Sequence, residues 1–113
     1  MKTLVFHVQD MEWVKHPTFP GVYVKDMLTG QHGMGITNKY IKIEPQGEIR
    51  THAHDVAEAF FILQGKASVL VNGERVELSA GDMIAAPAGQ VHGLFNQGTE
   101  DVILLANFGV KIE

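Results

Sequence analysis

Ala67-Ser68-Val69-Leu70-Val71-Asn72-Gly73-Glu74-Arg75-Val76-Glu77-Leu78 is the stretch that decides the fold class. Two short valine-bearing runs flank Asn72-Gly73, the strongest short-range signal for a two-residue hairpin, because both turn positions require positive φ. Val69 and Val71 face one way and Ser68 and Leu70 the other. Both sets are largely apolar, as suits a strand covered on both sides. Outward from this hairpin the hydrophobic period stays near two rather than 3.6. Further strand-like runs are Thr3–Val8, Val22–Met27, Ile36–Glu44, Ile49–His54, Ala59–Leu63, Met83–Ala86, Val91–Asn96 and Val102–Phe108. Turn residues separate them at short intervals, among them Pro45-Gln46-Gly47, Gln64-Gly65, Ser79-Ala80-Gly81-Asp82 and Ala88-Gly89. No convincing amphipathic helix is present; Asp10–Lys15 reads as one helical turn or a short edge strand. Many short strands with regular turns predict an all-β sandwich or barrel.

Composition narrows the function classes. The 113 residues suit one domain, without linker, repeat or low-complexity segment. The formal net charge is −4 and the nine Lys and Arg residues are scattered, so no basic stripe for nucleic-acid phosphates exists. The absence of cysteine removes disulfides, thiol catalysis, iron–sulfur ligation and cysteine-rich zinc sites. The apolar run near Met1 is too short for a secretory signal core, and no stretch approaches the ~20 apolar residues of a membrane span. A cytoplasmic protein with no membrane partner is the expectation.

The chemistry concentrates in His52-Ala-His54-Asp-Val-Ala-Glu58 and in His92. Side chains at i and i+2 of a strand share a face, so an HxH pair aims two imidazoles at one point. Glu58 follows a short turn, and the next strand can return it to that point. Three nitrogen donors and one oxygen donor suit a divalent first-row metal. By strict alternation Arg50 shares the face of His52 and His54, Glu58 that of Phe60 and Ile62, and His92 that of Leu94 and Asn96. If these faces point inward, they enclose a few polar groups in an apolar wall, as small-molecule pockets do. Arg50 then has two readings: an anchor for a substrate carboxylate, or a rim residue turned outward by a bulge. The residues one by one also suit blander roles: an HxH on a solvated face, Glu58 as surface charge, His92 as a hydrogen-bonded histidine.

Taken together the two regions resemble the cupins. The first cupin motif is matched by Gly47-Glu-Ile-Arg-Thr-His52-Ala-His54-Asp-Val-Ala-Glu58-Ala-Phe-Phe-Ile-Leu-Gln-Gly65. The second is matched by Gly81-Asp-Met-Ile-Ala-Ala-Pro87-Ala-Gly89-Gln-Val-His92-Gly-Leu-Phe-Asn96. The spacer between Gly47 and His52 is one residue shorter than the family's pattern. The resemblance implies a jelly-roll (double-stranded β-helix) barrel of two antiparallel sheets. One cupin domain would span 1–113, with residues 35–108 as the motif-bearing core. It also implies a metal held by His52, His54, Glu58 and His92. Mn²⁺, Fe²⁺, Ni²⁺ and Zn²⁺ all suit that donor set, with open positions left for a ligand.

Because this fold hosts many chemistries, three functions stand side by side. One is a metal-dependent enzyme on a small organic molecule, with dioxygenase-like oxidation favoured over decarboxylase, isomerase or lyase chemistry. The second is a non-catalytic metal-dependent binding or sensing module, and the third a structural barrel tied by its metal. Arg50, Phe60, Ile62 and Leu94 are the candidate substrate contacts, and Asn96 a turn-holding residue. A homodimer is expected, with residues 1–27 and the Leu4-Val5-Phe6 edge and Trp13 against the partner. His7, His16 and His32 lie outside both motifs, and His16, before Pro17, reads as loop. The glycines of Gly30–Gly35 precede a strand rather than a helix, unlike a phosphate loop. Neither Ser68 nor Ser79 sits in a nucleophile elbow. Beyond the ligands no obvious general acid or base faces the interior, leaving Tyr23, Tyr40 and His32 in reserve.

Overall fold

A computed structural model describes residues 1–110. The strands are β1 (Val14–Lys15), β2 (Val22–Asp26), β3 (Thr37–Ile43), β4 (Glu48–His52), β5 (Glu58–Gln64), β6 (Lys66–Val71), β7 (Glu74–Ser79), β8 (Met83–Ala86), β9 (His92–Phe95) and β10 (Val102–Phe108). They form two sheets of wholly antiparallel pairs, one ordered β1-β2-β3-β10-β5-β8 and the other β4-β9-β6-β7. This is the jelly-roll barrel of two antiparallel sheets. Asn72 and Gly73 both adopt positive φ, +49° and +82°, and close the β6–β7 hairpin as their sequence demands.

Alternation fills the space between the sheets. Val102, Leu104 and Ala106 of β10 are fully buried, and they lie beside Ile41 and Ile43 of β3 and Phe60 and Ile62 of β5. Ile49, Ala67, Val69 and Leu94 close the core from the opposite sheet. Asn96, itself fully buried, ties the bottom together: its Nδ2 donates to the carbonyls of Ile43 and Glu100, each at 2.9 Å, and its Oδ1 accepts from Gly98 N.

The N-terminus departs from expectation. Thr3–Val8 forms no strand; the chain makes one 3-10 turn at Val8–Asp10 and reaches the sheet edge only at β1. Its anchors are side chains instead of a ladder. The buried Lys25 Nζ donates to Val8 O at 2.8 Å and lies 4.5 Å from the Trp13 ring, which stacks on Tyr40. Trp13 is thus engaged by its own chain. Tyr23 and Tyr40 belong to this outer surface, with Lys42 Nζ 4.9 Å from the Tyr23 ring.

The β4–β9 pair carries a bulge that sets the site. Ile49 pairs with Leu94 and His52 with His92, so Arg50 and Thr51 stand opposite the single residue Gly93. The extra residue breaks the alternation. Ile49 and His52, three apart, both turn inward, while Arg50 and Thr51 are exposed. Gly93 permits this, because a Cβ there would lie 3.1 Å from Ile49 O and from Thr51 N and Cα.

Candidate metal centre

Three segments bring the four motif side chains together. His52 ends β4, Glu58 begins β5 and His92 begins β9, with Glu58 and His92 buried. His54 lies beyond the end of β4, in a connection held by Gly89 N donating to His54 O at 2.7 Å. His52 and His54, two residues apart, converge as their spacing predicts, although β4 ends at His52 and its bulge resets parity before it. The four ligand atoms lie within 4.8 Å of one another.

The hydrogen bonds around them orient the rings. Carbonyls only accept, so His52 Nδ1 donates to Arg50 O at 2.6 Å and His92 Nδ1 donates to Gln90 O at 3.1 Å. Each ring then presents a bare Nε2 lone pair to the centre. His92 Nε2 stands 2.7 Å from Glu58 Oε2, His52 Nε2 2.9 Å from His54 Nε2, and His54 Nε2 3.4 Å from Glu58 Oε2. Lone pairs at such distances repel unless a cation, proton or metal, lies among them. The His₃–Glu cluster could thus hold a metal ion, and its borderline nitrogen donors and hard oxygen fit a divalent first-row cation. Burial lowers the His54 pKa, an effect that Glu58 opposes and the charges of His52, His92 and Lys39 deepen. That keeps its nitrogen free for coordination near neutral pH.

The centre opens onto a cavity of about 200 Å³, walled by Phe19, Val22, Val24, Ile41, Ile49 and Phe108. Two polar residues outside the motifs also face it, His16 and Lys39. His16 stacks on Phe19 with ring centroids 4.3 Å apart, and its Nδ1 accepts from Thr18 N and Phe19 N. Burial, then the charges of Lys39 and His52, hold its pKa below the usual value. Lys39 Nζ lies 5.7 Å from the Phe108 ring and 3.9 Å from an exposed Asp26 carboxylate. Lys39 was legible in principle: in β3 it shares parity with the buried Ile41 and Ile43. Nothing local in His16-Pro17 announced a cavity residue.

The expected substrate contacts fall elsewhere. Arg50 points to solvent on the bulge and does not line the cavity. Ile62 and Leu94 are wholly buried in the apolar core. Phe60 sits behind the centre, its ring edge-on to His92 at 6.1 Å, lining a space of only about 10 Å³. The reserve acid–base candidates are also remote from the cavity: the tyrosines lie on the outer face, and His32 Nδ1 accepts from Thr29 N within its own turn. No helix among the described residues is long and apolar enough to cross a membrane.

Known proteins share this architecture. The "Oxalate-binding protein" of Thermotoga maritima is 31% identical over 67 residues, covering 58% of this chain and 55% of the relative. The chain thus spans about half the length of that relative. A crystal structure described as a predicted oxalate decarboxylase from Thermotoga maritima superposes with a TM-score of 0.87 at 22% identity, covering 95% of this chain and 99% of the other. KdgF from Halomonas sp. superposes with a TM-score of 0.84 at 21% identity, over 99% and 96% of the two chains. At such identities the likeness speaks for the fold alone. The family model for the cupin domain matches residues 39–108, which include both histidine-bearing segments and all four centre residues. The chain therefore belongs to the cupin domain family.

Proposed function

We propose that this protein is a divalent-metal-dependent enzyme acting on a small organic molecule, with His52, His54, Glu58 and His92 as the metal ligands. The observation that carries the reading is the convergence of imidazole lone pairs and one buried carboxylate beside a cavity of about 200 Å³. A bound divalent ion would supply Lewis acidity toward a carbonyl or carboxylate and, as iron or manganese, redox chemistry with dioxygen. Glu58 would offset part of the ion's charge, and the carbonyls of Arg50 and Gln90 hold two ligand rings in one tautomer. Dioxygenase-like oxidation is the favoured class, because open positions on the ion would take both substrate and dioxygen.

A second reading, non-catalytic binding of a small carboxylate, is supported by the name of the oxalate-binding relative. One domain across the chain is supported by the single core cluster joining both sheets. A cytoplasmic homodimer completes the proposal. The lack of cysteine supports the compartment, and the exposed Phe61 and Met83, paired on β5 and β8, support self-association.

Elemental analysis is expected to find about one divalent ion per chain; none after reloading with Mn²⁺, Fe²⁺, Ni²⁺ or Zn²⁺ would sink both readings. Oxygen uptake by the Fe²⁺ form with catechols, thiols and keto acids separates them. Turnover supports the enzyme, and ligand binding without turnover of any candidate supports the binding module. Light scattering in solution reads the oligomeric state.

A further inference from the structure

The polar groups lining the cavity fall into two sets, the centre residues and the pair Lys39 and His16. Glu58 is the only carboxylate among the described residues lining it, and it is engaged by His92 and His54. Lys39 and His16 line the cavity as well, with the apolar surface of Val22, Val24 and Ile41 also in the wall. His16 uses Nδ1 to accept two backbone N–H groups, so its neutral ring carries hydrogen on Nε2. That N–H makes no hydrogen bond among the described residues. Among the described residues Lys39 has only a loose, solvent-exposed ion pair with Asp26 at 3.9 Å, while the Phe108 face beneath its ammonium favours this position by cation–π attraction. The same Phe108 ring meets His54 at 6.0 Å, which places Lys39 within one aromatic ring of the metal centre. Its charge helps to lower the pKa of both His16 and His54.

We infer that Lys39 and His16 form an anion-binding pole, so that the ligand is a small dicarboxylate with one carboxylate at the metal centre and the other at this pole. The metal end of the inference rests on the proposed function; the Lys39–His16 end does not. An ammonium and an imidazole N–H are both donors, and a carboxylate supplies the acceptors that each lacks. The volume of about 200 Å³ is below the roughly 300–1,000 Å³ of sites for drug-sized molecules. A chain of a few carbons along the apolar wall fits that limit. Lys39 is then a specificity-determining residue, selecting dicarboxylates over monocarboxylates.

The test compares malonate and succinate with acetate by calorimetry on the Mn²⁺-loaded protein. Wild type is expected to favour the better dicarboxylate by at least about tenfold, the effect of one hydrogen bond to a charged group. Lys39→Met should abolish most of that preference while leaving Mn²⁺ content unchanged. Lys39→Arg, which keeps the charge, should restore much of it. In the metal-free protein, malonate should shift the His16 imidazole NMR signals of wild type and not of Lys39→Met. Equal dicarboxylate-to-acetate ratios in wild type and Lys39→Met, or His16 signals indifferent to malonate, overturn the inference. Failure to load Mn²⁺ with the His16 response intact would overturn the metal reading and leave this pole standing.

Discussion

Gly93→Ala tests the link between the β4 bulge and the metal centre. The added methyl would lie 3.1 Å from each of three backbone atoms, Ile49 O, Thr51 N and Thr51 Cα. Ordinary carbon contacts begin near 3.5 Å, so several tenths of an ångström must be recovered. No flexible side chain can yield it, because all three atoms belong to the bulge. Gly93 has no positive φ, so backbone strain adds nothing and the effect is one of space alone. Overpacking of this kind costs about 1–3 kcal/mol, which for a domain of this size is a fall of roughly 4–12 °C in melting temperature. The displaced strand carries His52, so metal affinity should fall as well. Differential scanning calorimetry of the metal-free protein reads the first effect and competition against a chelating dye the second. Gly30→Ala is the control: an added Cβ there meets nothing within 4 Å, and a change within about 0.5 kcal/mol is expected. If Gly93→Ala melts like wild type and binds Mn²⁺ equally well, the bulge does not depend on Gly93 and the explanation of the inward turn of His52 is wrong.

Other outcomes follow from the same geometry. Glu58→Gln, which exchanges the carboxylate for a neutral amide, and His92→Ala, which removes a nitrogen donor, should weaken metal binding, the latter by more than the roughly 10–100-fold typical of losing an outer-shell partner, as measured by dye competition; unchanged affinity in either would remove that residue from the ligand set. The His16 pKa is lowered in the folded state, so the unfolded chain binds that proton more tightly. Its contribution is intact above about pH 6.5 and declines as pH falls toward the folded value. Urea unfolding of the metal-free protein at pH 7.5 and 5.5 should therefore show a loss of stability in acid that is smaller in His16→Phe. Asn96→Ala removes one buried and two part-buried hydrogen bonds, each worth about 0.5–1.5 kcal/mol; an unchanged urea midpoint would contradict its role as the tie between the β3–β4 and β9–β10 connections.

Much of the β framework was legible because its evidence is local. Positive φ at Asn72-Gly73 and the period of two along β5, β6 and β10 are properties of neighbouring residues, and the observed strands follow them closely. Thr3–Val8 shows where that reasoning stops. Its composition is strand-like, yet a strand needs a partner edge, and Lys25 and Trp13 hold this segment across the sheet's face instead. Arg50 shows a second limit. Whether alternation continues through Ile49–His52 depends on the opposing residue, Gly93, which lies far along the chain.

The sequence by itself determined an all-β chain of short antiparallel strands and, through the spacing of His52, His54, Glu58 and His92, the donor set of a candidate metal centre. Periodicity and residue chemistry carry that information without reference to distant contacts. Only the tertiary structure decided which neighbours share the face of His52, because a bulge opposite a glycine resets parity between Ile49 and His52. It also decided what surrounds the centre. His16 and Lys39 come from loop and strand segments outside both motifs, and they meet the histidines only once the two sheets close around the cavity.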